Sequence, residues 1–293
     1  MTPARRVLLA TGSAVAAIGL LVAVDRGLRR RFGRPPRRDI SPDADSLRDY
    51  QDVEIRAIDG STLRGWLRKS TATEPVAAAL IVHGWGGSAH DMLPVSDALI
   101  DLGLDTLLLD ARGHGRSDDV AVSSMPAFAD DLRAALQWIR TTDRVDAERL
   151  VLVGHSVGAG ACLFVAADDA GIAGVVSLAS MADPRDLMAG LMGPRVPTSF
   201  ARLAFLYIEH VIGHRFREFA PIYTIGRGHI PVLLLHGARD ATVPVEDAYR
   251  LHAQAPTTST LVIVEEADHF SIEALDSARP ELSKFLKEVR GQR

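Results

Sequence analysis

The sequence predicts an α/β protein with a mostly parallel central sheet and helices on both of its faces. The first observation is that Val76–Val82 is apolar at every position, as in a strand buried on both faces of a sheet. The second is that such runs alternate with segments of helical periodicity. The further apolar runs are residues 104–109, 150–153, 173–178, 231–235 and 260–264, and the helical segments include 125–141, 245–254 and 272–289.

A hairpin is predicted at the front of this sheet, over residues 51–58 and 62–68. The two segments are connected by Asp-Gly at 59–60, a dipeptide typical of tight turns. Apolar and polar residues alternate in the first segment, so one face of this pair is expected to contact water. With 293 residues, 47% of them hydrophobic, the chain suffices for one large domain, predicted over residues 51–293.

The chemistry of the chain centres on residues 150–162, which predict a strand, a sharp turn and a helix. The turn reads Gly-His-Ser-Val-Gly over residues 154–158. In this context the Gly-x-Ser-x-Gly pattern indicates a nucleophile elbow, in which Ser156 is held in a strained backbone conformation. Gly154 and Gly158 fill positions that exclude a Cβ atom, and Gly160 is expected to let the helix press against the strand.

Polar groups follow the ends of four predicted strands. They are His-Gly-Trp-Gly-Gly at 83–87, Ser156, Asp240 and His269. Because ligands of open α/β sheets bind at the carboxyl ends of the strands, these groups are expected to meet. The chain order of serine, acid and histidine, together with the elbow, resembles the α/β-hydrolase family. The resemblance implies an α/β-hydrolase fold over about residues 51–290.

The resemblance also implies the role of each site residue. Ser156 is the expected nucleophile, His269 the base that takes its proton, and Asp240 the acid that orients the imidazole. Asp183, which follows another strand, is the alternative position for the acid, although Arg185 could pair with it. The 83–87 segment resembles the family's oxyanion loop, so the backbone amides of Trp85 and Val157 are the expected oxyanion donors.

Two other histidines are expected to have structural roles. His83 would brace the oxyanion loop as a buried imidazole, and His114, in the segment 110–117, would stabilise a turn. The remaining histidines show no metal-ligand spacing, so neither a metal nor a cofactor is predicted. Cys162, the single cysteine, cannot form an intramolecular disulfide and is expected to pack in the core.

A helical lid is expected at about residues 181–228, between two core strands. One predicted helix in it carries apolar residues at helical spacing, namely Phe200, Leu203, Ala204, Tyr207, Ile208 and Val211. A second apolar patch consists of Leu187, Met188, Leu191 and Met192. These residues could form either a helix pair packed on the core or an apolar acyl pocket.

The N-terminal residues 1–38 predict a membrane anchor and a basic collar. Residues 7–24 contain no charge and are just long enough, as a helix, to span a bilayer. The arginines that follow resist translocation and place the catalytic domain in the cytoplasm, with export by a cleaved signal as the alternative. Residues 39–50 are a predicted linker, and the acidic remainder of the chain gives no reason to expect nucleic acid.

The predicted function is hydrolysis of carboxylic esters or thioesters of apolar acyl groups through an acyl-enzyme. A small-molecule ester is the expected substrate, and the oligomeric state is not predicted. One alternative is a serine aminopeptidase, for which the lid offers only the separated Glu209 and Glu218 to bind an amine. The other is a membrane-tethered binding scaffold with an idle site.

Overall fold

A computed structural model describes residues 22–23, 25–30, 32–37, 46–71, 76–271 and 277–291. Their centre is an eight-stranded sheet in the order β1-β2-β4-β3-β5-β6-β7-β8. The strands are β1 (Gln51–Arg56), β2 (Thr62–Arg68), β3 (Val76–Val82), β4 (Asp105–Asp110), β5 (Val145–His155), β6 (Ile172–Leu178), β7 (Val232–Gly237) and β8 (Ser259–Val264). β2 pairs antiparallel with β1 and β4, and the other pairs are parallel. The predicted fold class is therefore confirmed.

Helices cover both faces of this sheet. They are α1 (Leu93–Asp101), α2 (Met125–Ile139), α3 (Val157–Ala166), α4 (Pro184–Met192), α5 (Thr198–Ile212), α6 (Phe216–Phe219), α7 (Pro221–Thr224), α8 (Val245–Gln254) and α9 (Arg279–Gly291), with a 3₁₀ turn at Ala89–Met92. α8 has the predicted bounds, whereas α2 ends two residues early. Part of the predicted C-terminal helix, residues 272–276, lies outside the described residues.

The core lies in two layers, one on each side of the sheet. Alternate residues of β3 divide between them: Leu80 and Val82 pack in one layer, and Ala79 and Ile81 in the other. Such a strand is buried on both faces, which explains why its sequence is apolar throughout instead of alternating. β1, at the edge, does alternate between exposed and buried residues, as the hairpin prediction requires.

The parallel topology brings the chemistry to one edge. β3, β5, β7 and β8 all run in the same direction, so their carboxyl ends meet on one side of the sheet. The segments that leave these ends carry the oxyanion loop, Ser156, Asp240 and His269. The insertion between β6 and β7 forms the helices α4 to α7.

The predicted localisation, a single-pass membrane protein with a cytoplasmic domain, is wrong, because it requires a long apolar helix. Within the described ranges, no helix is long and apolar enough to cross a bilayer. The predicted span lies outside the described residues except for Val22 and Ala23. The helical residues 25–30 carry Asp25 and three arginines, and these charges make the segment unsuited to a hydrocarbon core.

The apolar face predicted for α5 needs a second correction. Ala204 and Ile208 are buried, but Phe200 and Leu203 are 51% and 65% exposed. Helix α5 contacts the rest of the protein mainly along the face that contains Ile208. Helical spacing therefore identified the buried face of α5 correctly. The predicted apolar stripe was one turn too long and too wide, because it also included exposed residues near the N-terminus of the helix.

Candidate active site

The nucleophile elbow has the strained geometry that its sequence predicts. Ser156, between β5 and α3, has a positive φ of 54° with ψ −115°. A Cβ atom at Gly154 would lie 2.5 Å from the backbone of Gly158, and one at Gly158 would lie 2.4 Å from the carbonyl oxygen of His83. Neither backbone can move aside cheaply, so glycine is required at both positions.

Gly160 has a different neighbour from the one expected. A Cβ atom there would lie 2.3 Å from Cε of Met125 and 3.1 Å from Pro221, not against the β5 strand. The glycine therefore allows α3 to approach α2 and the lid. The spacing of glycines in the elbow could not distinguish these neighbours, because they depend on how α3 packs against distant segments.

The three residues of the predicted triad lie within hydrogen-bond distance of one another. Ser156 Oγ is 3.1 Å from Nε2 of His269, and Nδ1 of His269 is 2.7 Å from Oδ2 of Asp240. With Nδ1–H donating to the carboxylate, Nε2 is free to accept the serine proton. All three residues are buried, so water does not compete strongly for these bonds.

Asp240 is held by the backbone that follows it. Its Oδ1 accepts hydrogen bonds from the amides of Thr242 and Val243, at 2.8 and 2.7 Å. Burial favours the neutral acid, but hydrogen bonds from His236, His269 and the Val243 amide outweigh it and hold the pKa of Asp240 far below its ordinary value. The carboxylate is therefore charged and fixed opposite the imidazole.

Asp183, the alternative acid, is engaged elsewhere. It caps the N-terminus of α4 by accepting the amide of Arg185, 2.9 Å away. The Arg185 guanidinium also binds both of its carboxylate oxygens, with Nε 3.1 Å from Oδ1 and Nη2 2.5 Å from Oδ2. Of the two candidates, the structure thus brings Asp240 to His269.

The predicted oxyanion loop lies directly against Ser156. A Cβ atom at Gly84 would be 2.8 Å from Nδ1 of His155 and 3.2 Å from Cβ of Ser156, so a larger residue here would force the His155 ring or the loop to shift. Trp85 and Val157, the predicted oxyanion donors, both line the cavity beside Ser156. The loop and the first turn of α3 therefore face the same space as the serine hydroxyl.

His83 braces this loop, as expected. Its Nδ1 lies 2.7 Å from the carbonyl oxygen of Gly84, and its Nε2 accepts the amide of Ala111 at 3.2 Å. Complete burial lowers the pKa of His83 to about 4, so the ring is neutral at pH 7. The ring centroids of His83 and His114 are 4.9 Å apart, and Nδ1 of His114 lies 3.1 Å from the carbonyl oxygen of Arg112. Both rings support the loops around the site.

Sequence reasoning missed the role of His155. The Nε2 atom of this buried ring lies 2.7 Å from the carbonyl oxygen of His269. Burial is the main reason that its pKa falls to about 4, so the neutral ring donates Nε2–H to that carbonyl. Nδ1 of the same ring packs against Gly84, where a Cβ atom would lie 2.8 Å from it. His155 therefore connects the elbow, the oxyanion loop and the loop of His269, which the variable elbow position could not reveal.

A cavity of about 890 Å³ opens above Ser156, and most of its wall is apolar. Its size suits a small-molecule ligand. Helices α4 and α5 contribute Leu187, Met188, Leu191, Tyr207, Ile208, Val211 and Ile212. Met192, predicted to belong to the same patch, instead lines a smaller groove between α4 and α5. The inward part of the predicted lid surface thus faces the nucleophile.

Glu209 and Glu218, the lid carboxylates considered for an amine site, bind backbone amides. Glu209 accepts the amide of Phe216 at 2.9 Å, and Glu218 accepts that of Arg215 at 3.1 Å. Among the described residues that line the cavity, the one carboxylate belongs to Asp91, which accepts the amide of Ser88 at 3.0 Å. In the described part of the chain, no three His, Cys, Asp or Glu side chains gather as a metal site would require.

The chain is similar to several known proteins. It is 27% identical over 250 residues to the protein YfhR of Salmonella typhimurium, and the matched residues cover 82% of each chain. Among solved structures it is similar to the esterase Pf2001 of Pyrococcus furiosus, with a TM-score of 0.67, 22% identity and coverage of 89% of this chain and 98% of that one. Est1E of Butyrivibrio proteoclasticus, solved with ferulic acid, has a TM-score of 0.67, 21% identity and coverage of 82% and 100%.

Family models cover nearly all of the α/β domain. Residues 218–291 match the model described as TAP-like protein. Residues 73–221, just over half of the chain, match the model described as serine aminopeptidase, S33. The chain therefore belongs to the serine aminopeptidase S33 family, within the α/β-hydrolase superfamily.

Proposed function

We propose that this protein is a serine hydrolase that cleaves carboxylic esters of apolar acyl groups. The observation that carries the proposal is the chain of short contacts from Ser156 to His269 to Asp240 at the floor of the apolar cavity. A serine hydroxyl becomes a useful nucleophile only when a base lies within hydrogen-bond reach, and His269 satisfies that condition.

In the acylation half of the reaction, Ser156 Oγ attacks the ester carbonyl carbon while its proton passes to Nε2 of His269. The amides of Trp85 and Val157 stabilise the negative charge that develops on the carbonyl oxygen. The tetrahedral intermediate then collapses, the bond to the alkoxy oxygen breaks, and His269 gives the proton to the departing alcohol. Asp240 stabilises the imidazolium throughout.

Deacylation repeats these steps with water. His269 removes a proton from the water molecule, the resulting hydroxide adds to the acyl carbonyl, and collapse releases the carboxylic acid. Ser156 recovers its proton from His269. A thioester can react by the same route with a thiol as leaving group, so thioesters are included in the proposed substrate class.

Serine aminopeptidase activity is the second candidate, because it is the activity for which the matching family is named. Such a substrate carries an ammonium group that needs a carboxylate in the cavity. All three carboxylates accept a backbone amide, but Asp91 lines the cavity whereas Glu209 and Glu218 do not, so Asp91 is the acid that an ammonium group could reach. If Asp91 serves that role, Asp91→Asn should reduce turnover of an amino-acid p-nitroanilide and leave turnover of a p-nitrophenyl ester nearly unchanged.

The test is to follow p-nitrophenyl esters of increasing acyl length with the full chain, and to label it with a fluorophosphonate. We expect turnover of the esters and one covalent adduct on Ser156, seen by intact mass and peptide mapping. Ser156→Ala is the control, and it should lose both while keeping its melting temperature. A folded wild-type chain that neither reacts with the probe nor cleaves esters would instead favour a binding scaffold with an idle site.

A further inference from the structure

The cavity has a wall that comes from outside the α/β domain. We name residues 25–30 and 32–37 the N-terminal strap. Leu28, Arg29, Phe32 and Gly33 of the strap line the cavity together with Ser156 and the lid helices. Phe32 also packs against the main hydrophobic core. This segment, whose sequence predicts only a basic collar, therefore contributes side chains to the site.

One end of the strap is attached to the lid. Asp25 accepts a hydrogen bond from Nε of Arg29, one helical turn away, at 2.6 Å. The same carboxylate oxygen accepts a hydrogen bond from the hydroxyl of Tyr207 on α5. Since Tyr207 and Arg29 both line the cavity, this cluster joins the part of the wall that the strap forms to the part that α5 forms.

The other end is attached to the loops near the oxyanion site. The carbonyl oxygen of Gly33 accepts the amide of Ser123 at 2.9 Å, and a Cβ atom at Gly33 would lie 2.9 Å from Val122. Pro36 lies against Gly86 of the oxyanion loop, where a Cβ atom would be 3.1 Å from its ring. The strap therefore contacts both the segment before α2 and the oxyanion loop.

A guanidinium group completes this attachment. Nε of Arg37 donates to the carbonyl oxygen of Gly115 at 3.0 Å, and Nη1 donates to Asp119 at 2.9 Å. Nη2 donates to the carbonyl oxygen of Ser117. A planar group with several fixed donors suits such a set of carbonyl and carboxylate acceptors. These bonds fix the strap with Leu28 and Phe32 directed to the site.

We propose that the N-terminal strap is the acyl-length determinant of this enzyme, with Leu28 and Phe32 closing the part of the pocket that receives the acyl chain. The proposal rests on the proposed function for the identity of the substrate. It follows from the strap contacting both the lid and the oxyanion loop while its apolar side chains line the cavity. Removing those side chains would enlarge the pocket, and larger ones would shorten it.

The experiment measures kcat/KM for p-nitrophenyl butyrate and p-nitrophenyl laurate. It compares the full chain with one variant that should enlarge the pocket and one that should shorten it. Each methylene buried in an apolar pocket contributes about fourfold in binding, so loss or gain of a few carbons of space gives a measurable ratio. We expect Phe32→Ala to raise the laurate-to-butyrate ratio about tenfold or more, and Leu28→Trp to lower it by a similar factor. Arg30→Ala, an exposed change on the same segment, is the matched control.

A second measurement does not depend on catalysis. Binding of the uncharged apolar dye N-phenyl-1-naphthylamine is followed by fluorescence in the Ser156→Ala background. Both strap variants should change its dissociation constant at least about threefold, whereas Arg30→Ala should not. Tyr207→Phe, which removes only the hydroxyl bond to Asp25, replaces Phe32→Ala if the latter folds poorly. It should shift the dissociation constant in the same direction as Phe32→Ala.

The outcomes separate the two proposals. If esters are not cleaved but the dye constants change as expected, the strap forms the pocket wall and the proposed reaction is wrong. If esters are cleaved while neither the ratio nor the dye constants differ from those of Arg30→Ala, the strap proposal is overturned. Absence of dye binding to the parent chain would also overturn it, because the cavity would then be closed to apolar ligands.

Discussion

The floor and the roof of the cavity are built in different ways. The floor consists of Ser156 and His269, with Asp240 bonded to His269 beneath it, and each of these residues is at most 8% exposed. The roof consists of α4, α5 and the N-terminal strap, where Leu203 and Leu206 are 65% and 54% exposed. The floor is fixed by backbone contacts and short hydrogen bonds, whereas the roof is mainly apolar side chains on an insertion. This difference predicts that mutations in the floor change turnover and that mutations in the roof change substrate preference.

The largest effect is expected at Asp240. Asp240→Asn should lower kcat by about a thousandfold or more, because the amide favours the wrong imidazole tautomer. The matched change Asp183→Asn should alter kcat less than about threefold, since Asn retains the helix cap and only the ion pair with Arg185 is weakened. Steady-state kinetics on one p-nitrophenyl ester compares the two variants. The reverse pattern would assign the acid to Asp183.

His155 is expected to have an intermediate effect as a positioning residue. His155→Phe removes the hydrogen bond to the carbonyl oxygen of His269 and should lower kcat about fivefold, with little change in KM, since one neutral bond is worth about 1 kcal/mol. His155→Gln, which can still donate to that carbonyl, should recover part of the loss. Equal losses in both variants would show that packing, not this bond, supports the loop.

A pH effect on stability is expected at His114, outside the reacting groups. Burial lowers the pKa of His114 from 6.5 to about 3. Below pH 6.5 the unfolded chain therefore binds a proton that the folded chain does not, and stability is lost as the pH falls from 6.5 towards 3. His114→Phe should reduce the slope of the unfolding free energy against pH by about 1.4 kcal/mol per pH unit in that window.

Urea titrations at pH 7.5, 6, 5 and 4 measure that slope. The aromatic replacement is chosen because His114 packs edge to face on Phe128, with ring centroids 5.0 Å apart. Turnover at pH 7.5 should stay within about twofold of the parent chain, since the ring supports a loop and does not line the cavity. An unchanged slope would mean that His114 is accessible to protons in the folded protein.

The smallest effect is expected on the outer side of the roof. Leu203→Ser should change the unfolding free energy by less than about 0.5 kcal/mol and leave ester turnover unchanged, because the side chain is exposed. Ile208→Ala, one turn and a residue further along α5, removes a buried side chain and should cost about 2–4 kcal/mol. Thermal melts of both variants make the comparison. A large loss for Leu203→Ser would indicate that this face is covered in solution.

The sequence alone determined the floor to a large extent. An apolar run such as β3 has one stable position, between two core layers, so the order of strands and helices could be predicted. The Gly-x-Ser-x-Gly turn restricts its backbone so tightly that Ser156 could be located from residue types alone. The order of Asp240 and His269 after it completed the prediction of the site. Steric constraints of this kind act between residues that are close in sequence, so the local sequence is enough to predict them.

Only the tertiary structure decided which residues from distant segments meet. The contact of Asp240 with His269 and that of Asp183 with Arg185 could be expected from the sequence but not measured, and the neighbours of Gly160 depended on how α3 packs. The bond from His155 to the loop of His269 spans 114 residues, and the strap meets Tyr207 across 182. Such contacts depend on the relative position of whole elements, which results from the sum of many weak packing interactions and leaves no local pattern in the sequence.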